Sequence, residues 1–182
     1  MGRPKQPCGC GRVGDDCIHA NTEPWQAQLA LFERLTKTTM KIEIAEHKKL
    51  AHSMELDVRW GDMDAMGHVN NAVYFRYMET ARIDWFRGIG CQPDPRGEGI
   101  VIVNAFCNFI RQFEYPGDIL IRTFVSDLGR SSFDTWVTME RTDQHGVVCA
   151  TGGATVVWVD FPAQKSAPLP DWLRQRLSGA QS

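Results

Sequence analysis

The sequence predicts an α+β domain in which an antiparallel meander packs against one long apolar helix. Three observations predict it. From Asn71 to Phe86 the residues Ala72, Val73, Tyr74, Phe75, Tyr77, Met78, Ala81, Ile83, Trp85 and Phe86 put apolar side chains on nearly every side of a helix, which implies one buried all round. Downstream, four runs with strand-type alternation succeed one another across short turn signals. The chain's 182 residues suit one core that buries roughly two thirds of the unfolded surface.

The first 22 residues are rich in Gly, Pro, Cys and charge, lack hydrophobic period and read as a tail without its own core. Cys8, Cys10, Cys17 and His19 are a candidate Zn²⁺ set, although Cys-x-Cys and Cys-x-His depart from the paired C-x₂₋₄-C spacing of structural fingers. Asn21 to Pro24 reads as a helix entry, and Trp25, Leu29, Phe32 and Leu35 continue it as an amphipathic helix to about Lys37. Thr38 to His52 is a linker or a weak edge strand. Residues 1–53 are therefore assigned to an N-terminal extension and 54–182 to the folded domain.

In that domain Leu56, Val58 and Trp60 alternate with Asp57 and Arg59 as a strand, and Gly61 to Gly67 breaks the alternation. Asn70 and Asn71 are N-cap residues for the long helix. Gly88 to Gly99, with Pro93 and Pro95, is a loop. Ile100 to Phe113 is a long strand whose Val101, Val103, Ala105, Cys107 and Phe109 form one apolar face. Pro116-Gly117 is a turn of type II kind, followed by strands at Ile119–Ser126, Ser132–Arg141 and Val147–Asp160. Gly152-Gly153 within the last strand indicates a bulge or a close backbone approach. A short helix, Trp172 to Leu177, closes the domain with Asp171 as its cap.

Charge is balanced at 20 Lys plus Arg against 22 Asp plus Glu, a formal net of -2, so no global field draws the chain to nucleic acid or anionic membrane. Neither a signal-type apolar run nor a stretch of about 20 apolar residues is present, which points to the cytoplasm and no membrane. The cysteines do not form a secreted disulfide framework.

Acid-base groups concentrate between Leu56 and Arg87. As a carboxylate, Asp64 would be able to attack a carbonyl or activate water; the same residue type in a loop also caps turns, and the residues alone leave both readings open. Asp62 reads better as a loop carboxylate bonding nearby backbone N-H groups. The Asn71 N-H, at a helix start where free N-H groups and the helix dipole favour negative charge, is the candidate oxyanion donor. Glu79, flanked by Arg76 and Arg82, reads as a helix ion-pair residue rather than a base.

The run Gly61-Asp62-Met63-Asp64-Ala65-Met66-Gly67 resembles the G-D-x-D-x-x-G loop of hotdog-fold acyl-CoA thioesterases of the 4-hydroxybenzoyl-CoA thioesterase type. Its continuation Gly67-His68-Val69-Asn70-Asn71 is similar to the branch holding plant-type acyl-ACP thioesterases and bacterial long-chain acyl-CoA thioesterases. YPGD at Tyr115–Asp118, GRSSF at Gly129–Phe133 and VVWVD at Val156–Asp160 extend the resemblance over about Met54 to Leu177. It implies a sheet curled around the long helix, a homodimer or homotetramer with its site between protomers, and hydrolysis of acyl-CoA without metal or redox cofactor. Asp64 would be the catalytic carboxylate, the Asn71 N-H the oxyanion donor and His68 a supporting member, with Gly67, Tyr74, Arg130 and Ser131 against substrate. Trp60, Phe75 and Trp85 are further candidates to line an acyl pocket, the alternative for each being core. Met66 stands where the acyl-ACP branch has Asn, a departure from that branch's mechanism. An acyl-ACP thioesterase and a non-catalytic acyl-CoA-binding hotdog protein are the alternatives. A hydratase is disfavoured because its D-x-N-P-x-H run is absent.

Overall fold

A computed structural model describes residues 44–92 and 94–179. Cys8, Cys10, Cys17, His19 and the amphipathic helix expected at 21–37 lie outside the described residues. Strands β1 (Lys49–Asp57), β2 (Glu98–Phe109), β3 (Asp118–Ser126), β4 (Ser132–Arg141), β5 (Val148–Asp160) and β6 (Lys165–Ser166) accompany helices α1 (Asn71–Gly88) and α2 (Asp171–Ser178). The sheet order is β1-β3-β4-β5-β2 with β6 added to β5, and every pair is antiparallel. A curled antiparallel sheet around one long helix is the hotdog arrangement the sequence led us to expect.

Alternation explains which face holds the helix. On β3, Ile119, Ile121, Thr123 and Val125 are buried, and on β4 so are Phe133, Thr135, Val137 and Met139. Tyr74, Tyr77 and Met78 from the first half of α1 join Ile121, Val137 and Met139 in one core cluster. Trp85 and Phe86 from its last turns join Phe133, Val156, Leu173 and Leu177 in a second. Gly152 lets helix and sheet meet: a Cβ there would stand 2.5 Å from Met78 Sδ and 2.7 Å from the Phe106 carbonyl. The glycine pair thus marks a close approach, and the irregularities in pairing lie at Leu50/His52, Ile102/Asn104 and Met139/Glu140.

Several expectations require correction. The first strand ends at Asp57 and Trp60 opens a 3-10 turn, where it is 78% exposed instead of continuing the apolar face of Leu56 and Val58. Asp62 draws the chain out of the strand by accepting the Arg59 N-H at 3.0 Å. That strand also begins at Lys49, ahead of Met54. Helix α1 is not buried all round, since Phe75 and Ile83 are 39% and 44% exposed on the side away from the sheet. On β2 the expected apolar face holds only in part: Cys107 and Phe109 pack on the core, whereas Val103, at the pairing irregularity between Ile102 and Asn104 on the last strand of the sheet, is 60% exposed. Gly117 does not have the positive φ of a type II turn, and Tyr115–Pro116 is cis. Asp171 sits in the first turn of α2, with Pro170 as N-cap and no side-chain capping bond.

Candidate active site

The loop between β1 and α1 is closed by its own backbone. Met63 and Val69 form an isolated antiparallel bridge, and between them the Asp64 N-H donates to the His68 carbonyl at 2.7 Å. The Gly67 N-H returns to the Asp64 carbonyl at 3.1 Å, with Gly67 at φ +80, a conformation that costs glycine least. Gly67 is therefore a turn-former. Within this turn Asp64 Oδ1 accepts the Met66 N-H at 2.8 Å and the His68 N-H at 3.3 Å, which leaves Oδ2 unengaged by any described residue. Asp64 is half-buried. The carboxylate is thus oriented through one oxygen while the other stays available.

Asp62 anchors this loop from beneath. It is 6% exposed, and its Oδ2 accepts both the Arg59 N-H and the Tyr77 hydroxyl, the latter at 2.7 Å. Its carbonyl takes the Asn70 N-H at 2.9 Å. Loop and helix are joined there. Burial first, and then the bond to Asp62, push the Tyr77 phenol well above its ordinary value.

At the helix start, Asn70 caps α1 by accepting the Ala72 N-H on its side chain at 2.9 Å and the Val73 N-H on its carbonyl at 2.8 Å. The exposed Asn71 is the first helical residue, and no described residue accepts its N-H. A donor aligned with the helix dipole is what a developing oxyanion requires.

His68 lies across from Glu114, Nε2 to Oε1 at 3.8 Å, a distance for ion pairing with a protonated ring and too long for a hydrogen bond. Gln112 Nε2 touches the same carboxylate oxygen at 3.4 Å. The segment carrying Glu114 is fixed to the loop by the Val69 N-H on the Phe113 carbonyl, 2.9 Å, and by Arg141 Nη1 on the Glu114 carbonyl, 3.0 Å. Glu114 also borders an open groove of about 380 Å³ with Arg111, Gln112, Tyr115, Arg141 and Gln144. Arg141 is engaged by Asp143 and two carbonyls, so Arg111 is the groove's free guanidinium among the described residues. Sequence reading missed both Glu114 and Tyr77. Glu114 is remote in sequence from the loop, and Tyr77 is indistinguishable by pattern from the apolar helix residues around it.

Other candidates fall elsewhere. Tyr74 is 2% exposed, its ring packed on Phe109 and Phe113 and its hydroxyl accepting the Phe113 N-H at 3.1 Å; burial raises it to about 12. Trp85 is core as well. Arg130 and Ser131 lie beside Phe133, which packs on Trp85 and Phe86 towards the far end of α1, about 21 Å along the axis from the helix start. One chain therefore does not bring them to Asp64. Glu79 is exposed and forms no ion pair among the described residues. The thiols of Cys91, Cys107 and Cys149 are free and pushed up by burial, Cys107 to about 12, so none is a ready nucleophile. Among the described residues no cluster of His, Cys, Asp or Glu is set to hold a metal, and no helix is long and apolar enough to cross a membrane.

Residues 58–177 match the sequence profile described as the thioesterase-like superfamily. The chain belongs to that superfamily. A candidate thioesterase from Pseudomonas aeruginosa superposes with a TM-score of 0.67 at 31% identity, covering 70% of this chain and 98% of the other. For a candidate acyl-CoA thioesterase from Xanthomonas campestris the TM-score is 0.60 at 34% identity, over 66% of this chain and 100% of that one. A chloroplastic acyl-acyl carrier protein thioesterase of Arabidopsis thaliana is 27% identical over 146 residues, 75% of each chain. Family and neighbours together support thioester hydrolysis as the type of reaction, and the superfamily match takes in the whole loop from Arg59 to Asn71.

Proposed function

We propose that this protein hydrolyses acyl-CoA thioesters to free acid and CoA, with Asp64 as the acting carboxylate. The observation that carries the reading is the loop itself: Asp64 held through Oδ1 alone, on the same short turn that delivers the free Asn71 N-H. Asp64 either attacks the thioester carbonyl, giving an anhydride that water opens, or takes a proton from the attacking water. The carbonyl oxygen gathers charge against the Asn71 N-H, and the C-S bond breaks to release CoA thiolate. His68, held against Glu114, orients water or substrate. Substrate rests on the outer side of the loop, since the core beneath is filled by Tyr74 and Phe113.

The working unit in this reading is a homodimer or homotetramer. The open β2 edge, with Ile102 and Val103 exposed, supports it. So does the place of Arg130 and Ser131, which reach a substrate only from a second protomer.

Free CoA release from short, long and aromatic acyl-CoAs, with acyl-ACP alongside, tests the proposal on wild type and Asp64→Asn. Activity on at least one acyl-CoA, falling by about three orders of magnitude in the variant, is the expected result; the Asn side chain keeps an oxygen for the Met66 and His68 N-H groups, so folding is retained. A wild type inert on every acyl-CoA, yet binding them as well as the variant does, would make the protein a non-catalytic binder. Preference for acyl-ACP would move the carrier assignment to the reading that the Arabidopsis relative suggests. Label in Asp64 after a single turnover in ¹⁸O water would establish the anhydride route, opened by water at the Asp64 carbonyl, because general-base attack by water labels only the released acid.

A further inference from the structure

The groove bordered by Glu114 opens beside the Asp64 loop and takes its polar side chains from two separate turns. Arg111, Gln112, Glu114 and Tyr115 follow β2, while Arg141 and Gln144 stand at the end of β4 and in the turn after it. At about 380 Å³ it has the size of a small-ligand site. Arg111, Gln112, Glu114, Tyr115 and Gln144 are all exposed, so the groove offers a ligand hydrogen bonds and charge in place of alkyl contact.

One wall is fixed and electrically balanced. Arg141 Nε and Nη2 donate to the two oxygens of Asp143, each at 2.9 Å, while Nη1 donates to the Glu114 carbonyl at 3.0 Å and Nη2 to the Pro116 carbonyl at 3.3 Å. Gly117 admits this guanidinium, since a Cβ there would stand 2.7 Å from both Nη1 and Nη2. Asp143 offsets its charge, so the pair shapes the groove without making it cationic.

Arg111 is different. Its backbone N-H donates to the Cys149 carbonyl at 2.8 Å, beside the Ile110 N-H at 2.9 Å, which pins the residue to the start of β5. Its guanidinium has no partner among the described residues, and it forms no ion pair with Glu114 although both line the groove. Glu114 is turned instead towards His68, with Gln112 Nε2 on the same oxygen. The groove thus has an anionic end against the loop and a cationic end against β5. An acyl group that leaves the thioester at Asp64 and follows the groove passes Glu114 and brings its tail to Arg111. A planar guanidinium offers two parallel donors, the arrangement that a carboxylate accepts bidentately. The Gln144 amide and the Tyr115 hydroxyl add neutral donors on the same groove. A methyl group in that place would displace water from these groups and return no hydrogen bond.

We propose that this groove sets acyl specificity: Arg111 receives a carboxylate at the far end of the acyl chain, so that the preferred substrates are CoA monothioesters of dicarboxylic acids. This role of Arg111 presupposes the acyl-CoA hydrolysis proposed above and names its substrate class. Glu114, on the loop side of the groove, sets a minimum length, because a second carboxylate close to the thioester would meet its like charge.

The values of kcat/KM for the full-length chain on succinyl-, adipyl- and suberyl-CoA, each beside the neutral thioester of equal length, butyryl-, hexanoyl- or octanoyl-CoA, test it. The expected result is that adipyl- or suberyl-CoA is preferred over its neutral counterpart by about tenfold, as a charge-assisted bidentate bond implies, and that succinyl-CoA is not. Arg111→Gln should bring that ratio to about one or below, and Arg111→Lys should keep part of it, since an ammonium carries the charge without paired donors. Each ratio is taken within one protein, so a loss of folded enzyme cancels from it. Ratios near one for both longer pairs in wild type, or a preference that Arg111→Gln leaves intact, overturn this role of Arg111 and leave acyl-CoA hydrolysis standing. A wild type that releases no CoA from either series overturns it too; release from aromatic thioesters would then show that hydrolysis survives, and inertness there as well would remove both.

Discussion

Replacing Tyr77 by Phe removes one hydroxyl and tests how the candidate catalytic loop is held. Asp62 Oδ2 has two donors, the Arg59 N-H at 3.0 Å and the Tyr77 hydroxyl at 2.7 Å, in a site where Asp62 is 6% exposed. Taking the phenol away leaves a buried carboxylate with one donor, and bonds to charged groups contribute about 1.5–3 kcal/mol each. The expected loss is about 2 kcal/mol, or roughly 6 °C in the unfolding midpoint for a chain of this size. The pH dependence carries the sharper signature. Tyr77 is raised by burial and then by Asp62, so above about pH 10, the unfolded phenol's value, the native state binds more protons than the unfolded one and stability falls as pH rises. The stability that Tyr77 contributes is whole below about pH 10 and is lost as pH climbs towards its folded value. Tyr74, also raised, slopes the same way in both proteins, so the difference between them isolates Tyr77. Urea unfolding of wild type and variant at pH 7, 9, 10 and 11 measures this difference, which should be constant to pH 9 and then narrow. Thermal midpoints within 1 °C at pH 7, or a urea-derived gap that stays constant to pH 11, would refute the account of how Asp62 is satisfied.

Glu114→Ala should lower kcat about tenfold with KM unchanged and little change in midpoint, Glu114→Asp recovering part of the loss; an unaltered kcat would remove Glu114 from the working site. Gly152→Ala should destabilise by about 1–3 kcal/mol, because its Cβ would stand 2.7 Å from the Phe106 carbonyl as well as 2.5 Å from Met78 Sδ; shortening Met78 should recover only part, which paired denaturation curves will show. Thr123→Val should stabilise by about 1 kcal/mol, since the Thr123 hydroxyl is buried without a partner and Val keeps its shape; a loss of stability in urea would reveal a bond that the structure does not contain.

The fold was legible where one period decided the outcome. Strands β3 and β4 alternate because one face is packed on α1 and the other is open, and the expected limits of β3 to β5 lie within a residue of the observed ones. Legibility failed where a single side chain overrode the period. Trp60 belongs to the apolar alternation of Leu56 and Val58, but the carboxylate of Asp62 captures the Arg59 N-H and turns the strand into a 3-10 turn. On β2 the expected face holds for Cys107 and Phe109, which pack on the core, and fails for Val103 and Ala105, which are apolar but exposed, because burial of an edge strand depends on what lies beyond the edge. The same holds for Phe75 and Ile83 on α1.

At the site, local chemistry could be read and distant chemistry could not. Asp64, Gly67, His68 and Asn71 fall within one short run, so the turn that orients the carboxylate and frees the helix N-H is written in adjacent residues. Glu114 enters by another route. It faces His68 because the Val69 N-H binds the Phe113 carbonyl, a pairing set by how the end of β2 passes the loop. Arg130 and Ser131 show the converse. Their sequence placed them near substrate, while the structure puts them by Phe133 at the other end of α1. A helix of 18 residues is too long for one chain to bridge, so any part they play in the reaction requires a second protomer turned to bring its far end to the first protomer's Asp64. Mixed dimers test that requirement. Asp64→Asn chains combined with chains altered at Arg130 should regain one intact site in two, above both parents, if the residue acts across protomers; no gain over the parents, or an Arg130-altered parent as active as wild type, would exclude that role.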